Sequence, residues 1–334
     1  MTRRYEEFDF GDRIGVGTVG TIYRVVEKDS GQLMALKLLS PAVSSDKNIV
    51  ARFEREMLIL SKLNHPNIVA YYGDGKHQDQ LFYVMELING GTLKEILQSS
   101  GTFTWQEAGE CGRQIASALQ HAHNHGIIHR DLKPGNVFLD ESGESKLGDF
   151  GIARDMRAID LTETGLTVGT YAYMAPELIR GNRDITGQVD LYALGCVLFE
   201  MLTGRPPYVG DNFAAIFDQH LSSDPPSLQA MGVNCPPEFD RLITSLLAKS
   251  PEDRPFNARS VQGILGELLS TSEPMAENLT SQDRAAAAVK PLQLRLQHLA
   301  KTQTPHERSW KIVGIVGLTV IVTVLIMSLL RDFF

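Results

Sequence analysis

The chain has 334 residues, 43% hydrophobic and 22% charged, which is long and apolar enough for one large domain or two medium ones with buried cores. Its net charge of −8 leaves no basic footprint, so nucleic acid is excluded as an expected partner. Cys111, Cys196 and Cys235 are widely spaced with no CxxC pair, which excludes a disulfide framework and points to reduced thiols.

In chain order, the N-terminus (Met1 to Glu7) has no apolar run behind its basic residues and does not read as a secretory signal. Thr21–Val26 and Leu33–Leu38 carry the branched and aromatic residues that strands prefer, with the glycine-rich stretch Gly15-Val16-Gly17-Thr18-Val19-Gly20 just before them. Because a strand rather than a helix follows these glycines, they predict a hairpin whose bare backbone can approach phosphates. Phe53, Met57, Leu60 and Leu63 recur at three- and four-residue intervals and predict a helix. Leu81–Leu87 predicts another strand, and beyond about residue 92 helical periodicity dominates. A small β-rich lobe followed by a larger helical one is the α+β arrangement this pattern implies.

The residues most informative about chemistry are His129-Arg130-Asp131-Leu132-Lys133-Pro134-Gly135-Asn136, followed by Asp149-Phe150-Gly151. Two acids and an amide at this spacing suit phosphoryl transfer: one acid orients a hydroxyl, while the amide and the second acid hold metal ions. The alternate spacing of His121, His123 and His125, with His129 beyond, is not expected to gather three side chains on one helix face, so a histidine metal cluster is not expected.

These motifs resemble eukaryotic-type (Hanks-type) serine/threonine protein kinases, most closely bacterial PknB-like membrane kinases. The resemblance spans about residues 8–270 and implies a bilobal fold with ATP and Mg2+ as cofactors (Mn2+ as an alternative). It implies catalytic roles for Asp131, Lys133, Lys37 and Glu56, with Lys37 paired to Glu56 and Glu54 as the alternative. Nucleotide contacts fall to Ile14, Gly15, Gly17, Gly20, Ile22, Ala35, Lys37, the Glu86–Ile88 backbone and Phe138. Met85 would be the gatekeeper, and Phe138 stands where the family usually has an aliphatic residue. Asn136 and Asp149 would hold the metal. Lys133-Pro134 resembles serine/threonine rather than tyrosine kinases. Thr162, Thr164 and Thr167 are expected phosphosites of the activation segment, able to dock on arginines such as Arg130, and Thr170 would line the hydroxyl pocket. Glu177 with Arg254, and Asp190 under the catalytic loop, are expected braces.

Residues 271–309, punctuated by Pro274, Pro291 and Pro305, predict a flexible juxtamembrane linker. Leu292, Leu296 and Leu299 within it suggest a short helix lying on a membrane, pairing with a partner or exposed to solvent. Ile312 to Leu330 are 19 residues without a charge, about 28 Å as a helix, so residues 310–330 predict a transmembrane helix followed by a four-residue tail. Lys301, Arg308 and Lys311 before the span place the domain in the cytoplasm, at a bacterial cell membrane or as a eukaryotic tail-anchored protein. The expected partners are protein substrates and the membrane, with a homodimer for trans-autophosphorylation. With only four residues after the span, no outer sensor domain is expected. The competing readings are a membrane-tethered pseudokinase scaffold and a small-molecule kinase.

Overall fold

The computed structural model describes residues 2–17, 20–41, 44, 47–150, 168–272, 292–293 and 296; within these, the side chains of residues 47–49, 52, 55, 56, 168–170 and 272 are not described. The N-terminal lobe is a five-stranded antiparallel sheet of β1 (Phe8–Val16), β2 (Gly20–Glu27), β3 (Leu33–Leu39), β4 (Tyr71–His77) and β5 (Gln80–Glu86), in the order β1-β2-β3-β5-β4. Strand alternation splits its residues between two clusters. Met34, Leu36, Phe82 and Val84 pack with Phe8 and Val25 on one face. Leu39, Leu81 and Tyr83 take the other face, where α1 (Lys47–Leu60) covers them with Phe53 and Met57. The predicted helical spacing is thus realised, although Leu63 lies past the helix and joins the C-terminal core.

Gly20 opens β2 against β3 so closely that a Cβ there would sit 2.2 Å from the Leu38 carbonyl oxygen; no other residue fits without moving the strand. The β1–β2 pairing is irregular between Phe10 and Gly15, which bends the strand leading into the glycine hairpin.

The C-terminal lobe contains α2 (Leu93–Ser100), α3 (Trp105–Asn124), α4 (Pro176–Ile179), α5 (Gln188–Thr203), α6 (Phe213–Ser222), α7 (Pro237–Leu246) and α8 (Ala258–Ser272), with the small hairpin β6 (Val137–Leu139) and β7 (Ser145–Leu147). Thr92 with Glu95 and Thr104 with Glu107 form capping boxes, which satisfy the orphan amides that start α2 and α3. Helix α5 is buried on nearly all sides; α3 and α7 pack on it, and α8 packs along α3. The expected brace is present: Arg254 makes a two-pronged pair with Glu177 at 2.7 and 2.8 Å, with side-chain exposures of 0% and 6%.

The linker differs from its expected free state at two residues. Leu292 and Leu296 are 1% and 6% exposed and belong to the same buried cluster as the C-lobe core. Burying leucine is worth more than leaving it on a solvated helix, so the i, i+4 pair is spent on the domain itself. Among the described residues no helix is long and apolar enough to cross a membrane; residues 310–330 lie outside them.

Candidate active site

The catalytic loop is built from below. Asp190, in the first turn of α5 and fully buried, accepts hydrogen bonds from the backbone amides of His129 and Arg130 and pairs with His123 Nε2, all at 2.8 Å. These contacts hold Arg130 at a φ of 62°, a left-handed conformation that a non-glycine residue keeps only when its surroundings impose it. His129 is buried beneath, with its Nε2 3.0 Å from the Gly148 carbonyl and its ring 4.7 Å from that of Phe150. His121 and His125 instead meet each other, ring centroids 4.6 Å apart and His125 Nδ1 2.8 Å from the His121 carbonyl, and among the described residues no group of three or more His, Cys, Asp or Glu could hold a metal.

Above this platform, Asp131, Lys133 and Asn136 converge. Lys133 Nζ donates to Asp131 Oδ2 at 2.7 Å. Asn136 Nδ2 donates to the Asp131 carbonyl at 2.7 Å and to its Oδ2 at 3.1 Å. The amide nitrogen of Asn136 is thereby committed, and its oxygen is the atom remaining to act as a ligand. The Gly148 amide donates to the Asn136 carbonyl at 3.0 Å, which ties the Asp149 loop to the catalytic loop.

Asp149 has a φ of 48° and closes the cleft from the other side. Lys37 Nζ lies 2.8 Å from its Oδ1, and the Tyr83 hydroxyl donates to the same oxygen at 3.2 Å. Burial works against the charged form of Lys37, but the adjacent Asp149 carboxylate outweighs it and holds the ammonium pKa above its usual value. Burial likewise opposes ionisation of Asp149, and the Lys37 charge overrides it, so the carboxyl pKa lies below its usual value. Burial raises the pKa of Tyr83, whose hydroxyl stays a donor. Lys37 was expected to pair with Glu56; the Glu56 side chain lies outside the described residues, and Glu54 is exposed.

The positions expected to meet the nucleotide fall on β1, β2, β3 and β6 and at the end of β5 leading into the inter-lobe connection. Gly15 pairs with Ile22, Ile22 pairs in turn with Lys37, and the Gly17 amide donates to the Gly20 carbonyl at 2.9 Å. Ile14 is 37% exposed beside them, while residues 18 and 19 lie outside the described residues. Ala35 is buried, pairs with Met85 and shares the Lys37 face by alternation. The Glu86 amide donates to the Ala70 carbonyl at 2.8 Å, so one of the Glu86–Ile88 backbone groups expected to meet adenine already has a partner. The Glu86 carboxylate accepts from the Ala70 amide at 3.1 Å and pairs with Lys146 of β7 at 2.9 Å, a cross-lobe tie absent from the motif reading. Phe138 packs against Gly148, where a Cβ would stand 2.9 Å from its ring. Behind Met85 a cavity is lined by Leu60, Tyr83, Asp149 and Phe150.

The structure therefore brings Lys37 to Asp149, and Asp131 to Lys133 and Asn136. Thr162, Thr164 and Thr167 lie outside the described residues, as does the Thr170 side chain. Tyr83 and Lys146 went unnoticed in the motifs; Tyr83 had a legible signal, since it falls on the same alternating face as Met85.

Comparison with known proteins agrees with this geometry. The protein kinase domain family matches residues 8–263. The serine/threonine-protein kinase PknL of Mycobacterium tuberculosis is 35% identical over 281 residues, covering 82% of this chain and 70% of the relative. PknD of the same species is 38% identical over 78% of this chain, and PknB of Mycobacterium leprae 34% over 84%; the match spans 39% and 46% of those two proteins. Among solved structures, Rad53 residues 1–466 in complex with AMP-PNP superposes with a TM-score of 0.65 at 28% identity, over 77% of this chain and 64% of that one. The chain belongs to the protein kinase family, as an ATP-binding serine/threonine kinase of the Hanks type similar to PknB.

Proposed function

We propose that this kinase transfers the γ-phosphate of ATP to serine or threonine hydroxyls of protein substrates at a membrane surface, with Asp131 as the group that orients the hydroxyl. The observation that carries this reading is the convergence of Lys133 and Asn136 on Asp131 above the Asp190 platform. The substrate oxygen attacks the γ-phosphorus, the bond to the β–γ bridging oxygen breaks, and the hydroxyl proton passes to an Asp131 carboxylate oxygen. Lys133, already beside that carboxylate, carries a positive charge to the transferred phosphate. Lys37 holds the nucleotide phosphates, so it exchanges its Asp149 contact for them.

The donor set fits a hard divalent cation: an amide oxygen from Asn136 and a carboxylate from Asp149 are the oxygen ligands that magnesium or manganese takes. Bound there, the cation supplies charge neutralisation on the phosphates. Asn136 is aimed by Asp131, and Asp149 by its Tyr83 contact.

Activation by trans-autophosphorylation at Thr162, Thr164 and Thr167 in a homodimer, and a single membrane pass at residues 310–330 with the kinase domain cytoplasmic, belong to the same proposal. Their support is the cluster of Thr162, Thr164 and Thr167 in the sequence, with Arg130 as a residue on which a phosphothreonine could dock, and the uncharged run from Ile312 to Leu330.

Transfer from γ-labelled ATP to a generic serine-rich protein tests the chemistry. Asp131→Asn is expected to lower the rate by about 10²–10⁴-fold. Full activity in the variant would refute the role of Asp131, and no transfer by either form would favour a pseudokinase scaffold. Flotation of the full chain with vesicles, lost on deleting residues 310–334, tests the anchor.

A further inference from the structure

The hydroxyl of Tyr83 is a buried polar group whose place in the reaction is not set by the roles above. The β3–β5 register sets Tyr83 directly opposite Lys37, so the two side chains leave the same face of the sheet. The Tyr83 ring is 4% exposed and clusters with Leu39, Phe53 and Met57, contacts that a phenylalanine ring would make equally well. Only the hydroxyl reaches beyond that cluster. It donates to Asp149 Oδ1 at 3.2 Å, and Lys37 Nζ lies 5.8 Å from the ring centroid.

Asp149 Oδ1 thus receives two donors, one mobile and one fixed. Lys37 ends a long flexible stem and is the group the nucleotide phosphates would draw away. Tyr83 stands on β5, an interior strand of the packed sheet, and its rigid ring cannot follow. The terminal torsion of an aspartate is soft, so a carboxylate without a fixed donor rotates and presents either oxygen.

We propose that Tyr83 is a positioning residue for Asp149: its hydroxyl keeps Oδ1 engaged after Lys37 has turned to the nucleotide, so that Oδ2 is the oxygen presented to the divalent cation. This rests on the reading of Asp149 as a cation ligand. The consequence is specific. Removing the hydroxyl weakens the cation-dependent part of nucleotide binding and leaves the cation-independent part alone.

The test is calorimetric titration of the full chain with ADP, in excess Mg2+ and in EDTA, for wild type, Tyr83→Phe and Tyr83→Leu, with thermal melts alongside. For Tyr83→Phe, affinity in Mg2+ is expected to fall about tenfold, equal to about 1.4 kcal/mol, while affinity in EDTA stays within about twofold and the melt is nearly unchanged. Tyr83→Leu is expected to show the same loss of Mg2+ dependence with an added loss of stability. Tyr83→Phe binding with the wild-type Mg2+ enhancement overturns the proposal. So does an equal loss in Mg2+ and EDTA, which would mark a packing effect, or a gain in Mg2+, which would make the hydroxyl a competitor. A wild-type protein without Mg2+ enhancement would instead remove the reading of Asp149 on which this rests.

Discussion

The catalytic loop at residues 129–136 and the Lys37–Asp149 pair face the same cleft, yet they are held by different kinds of contact. The loop is fixed through backbone: Asp190, fully buried, accepts from two successive amides, and Asn136 bonds back to the Asp131 carbonyl. The Lys37–Asp149 pair joins two lobes through side chains that are 16% and 28% exposed, across 112 positions of sequence. A buried acceptor with several amide donors is costly to disturb, whereas a partly exposed ion pair can be exchanged for another anion at little cost. The difference separates a part of the site that is ready before ligand arrives from a part that ligand must rearrange.

Breaking the C-lobe frame should have the largest effect. Arg254→Ala leaves Glu177 charged and buried without its partner and is expected to cost about 3–5 kcal/mol in denaturant unfolding; a loss under about 1 kcal/mol would mean that the brace is dispensable. Asp190→Ala strips two backbone amides of their acceptor and is expected to cost about 3 kcal/mol. Lys37→Met, by contrast, is expected to cost no more than about 1 kcal/mol of stability while abolishing phosphate transfer. Equal losses in Asp190→Ala and Lys37→Met would erase the distinction between the two halves.

The buried docking of Leu292 and Leu296 can be measured in the same way. Replacing both with alanine should destabilise the C-lobe by about 4 kcal/mol and speed proteolysis between residues 273 and 291; an unaltered melt and digestion pattern would show that the segment adds nothing to the domain.

A smaller, graded effect comes from His220 of α6, fully buried, whose Nδ1 lies 2.7 Å from the Tyr192 hydroxyl, with Tyr208 and Lys249 nearby. Burial, with Lys249 as a lesser cause, pushes its pKa down to about 3. Between that value and the ordinary imidazole value of 6.5, the unfolded chain binds a proton that the folded chain does not. Stability is therefore full above about pH 6.5 and falls as pH drops, by up to about 1.4 kcal/mol per unit. His220→Gln should flatten the slope of stability against pH between 4 and 6; an unchanged slope would assign that acid sensitivity to other groups.

Much of this was legible in the chain. The strand patterns placed β2, β3 and β5 to within about a residue at each end, and the helical spacing found α1 without its bounds, because apolar alternation is a local signal. The catalytic loop was legible because its residues are adjacent in sequence. The Lys37–Asp149 contact was not, since which acids a cross-lobe lysine meets depends on how the lobes close rather than on any local pattern. Tyr83 and Lys146 escaped for a related reason: each acts through a strand register or a neighbouring strand, and their types alone suggest only a core aromatic and a surface lysine. The i, i+4 spacing of Leu292 and Leu296 signalled a helical face, but not that the surface it covers is the C-lobe of the same chain.

The most direct measurement is a crystal structure of the protein with an unreactive ATP analogue and Mg2+. The account predicts Lys37 Nζ on the nucleotide phosphates and well beyond its present 2.8 Å from Asp149 Oδ1, with the Asp190 contacts to His129 and Arg130 still near 2.8 Å. An intact Lys37–Asp149 pair beside bound nucleotide, or a catalytic loop released from Asp190, would contradict it.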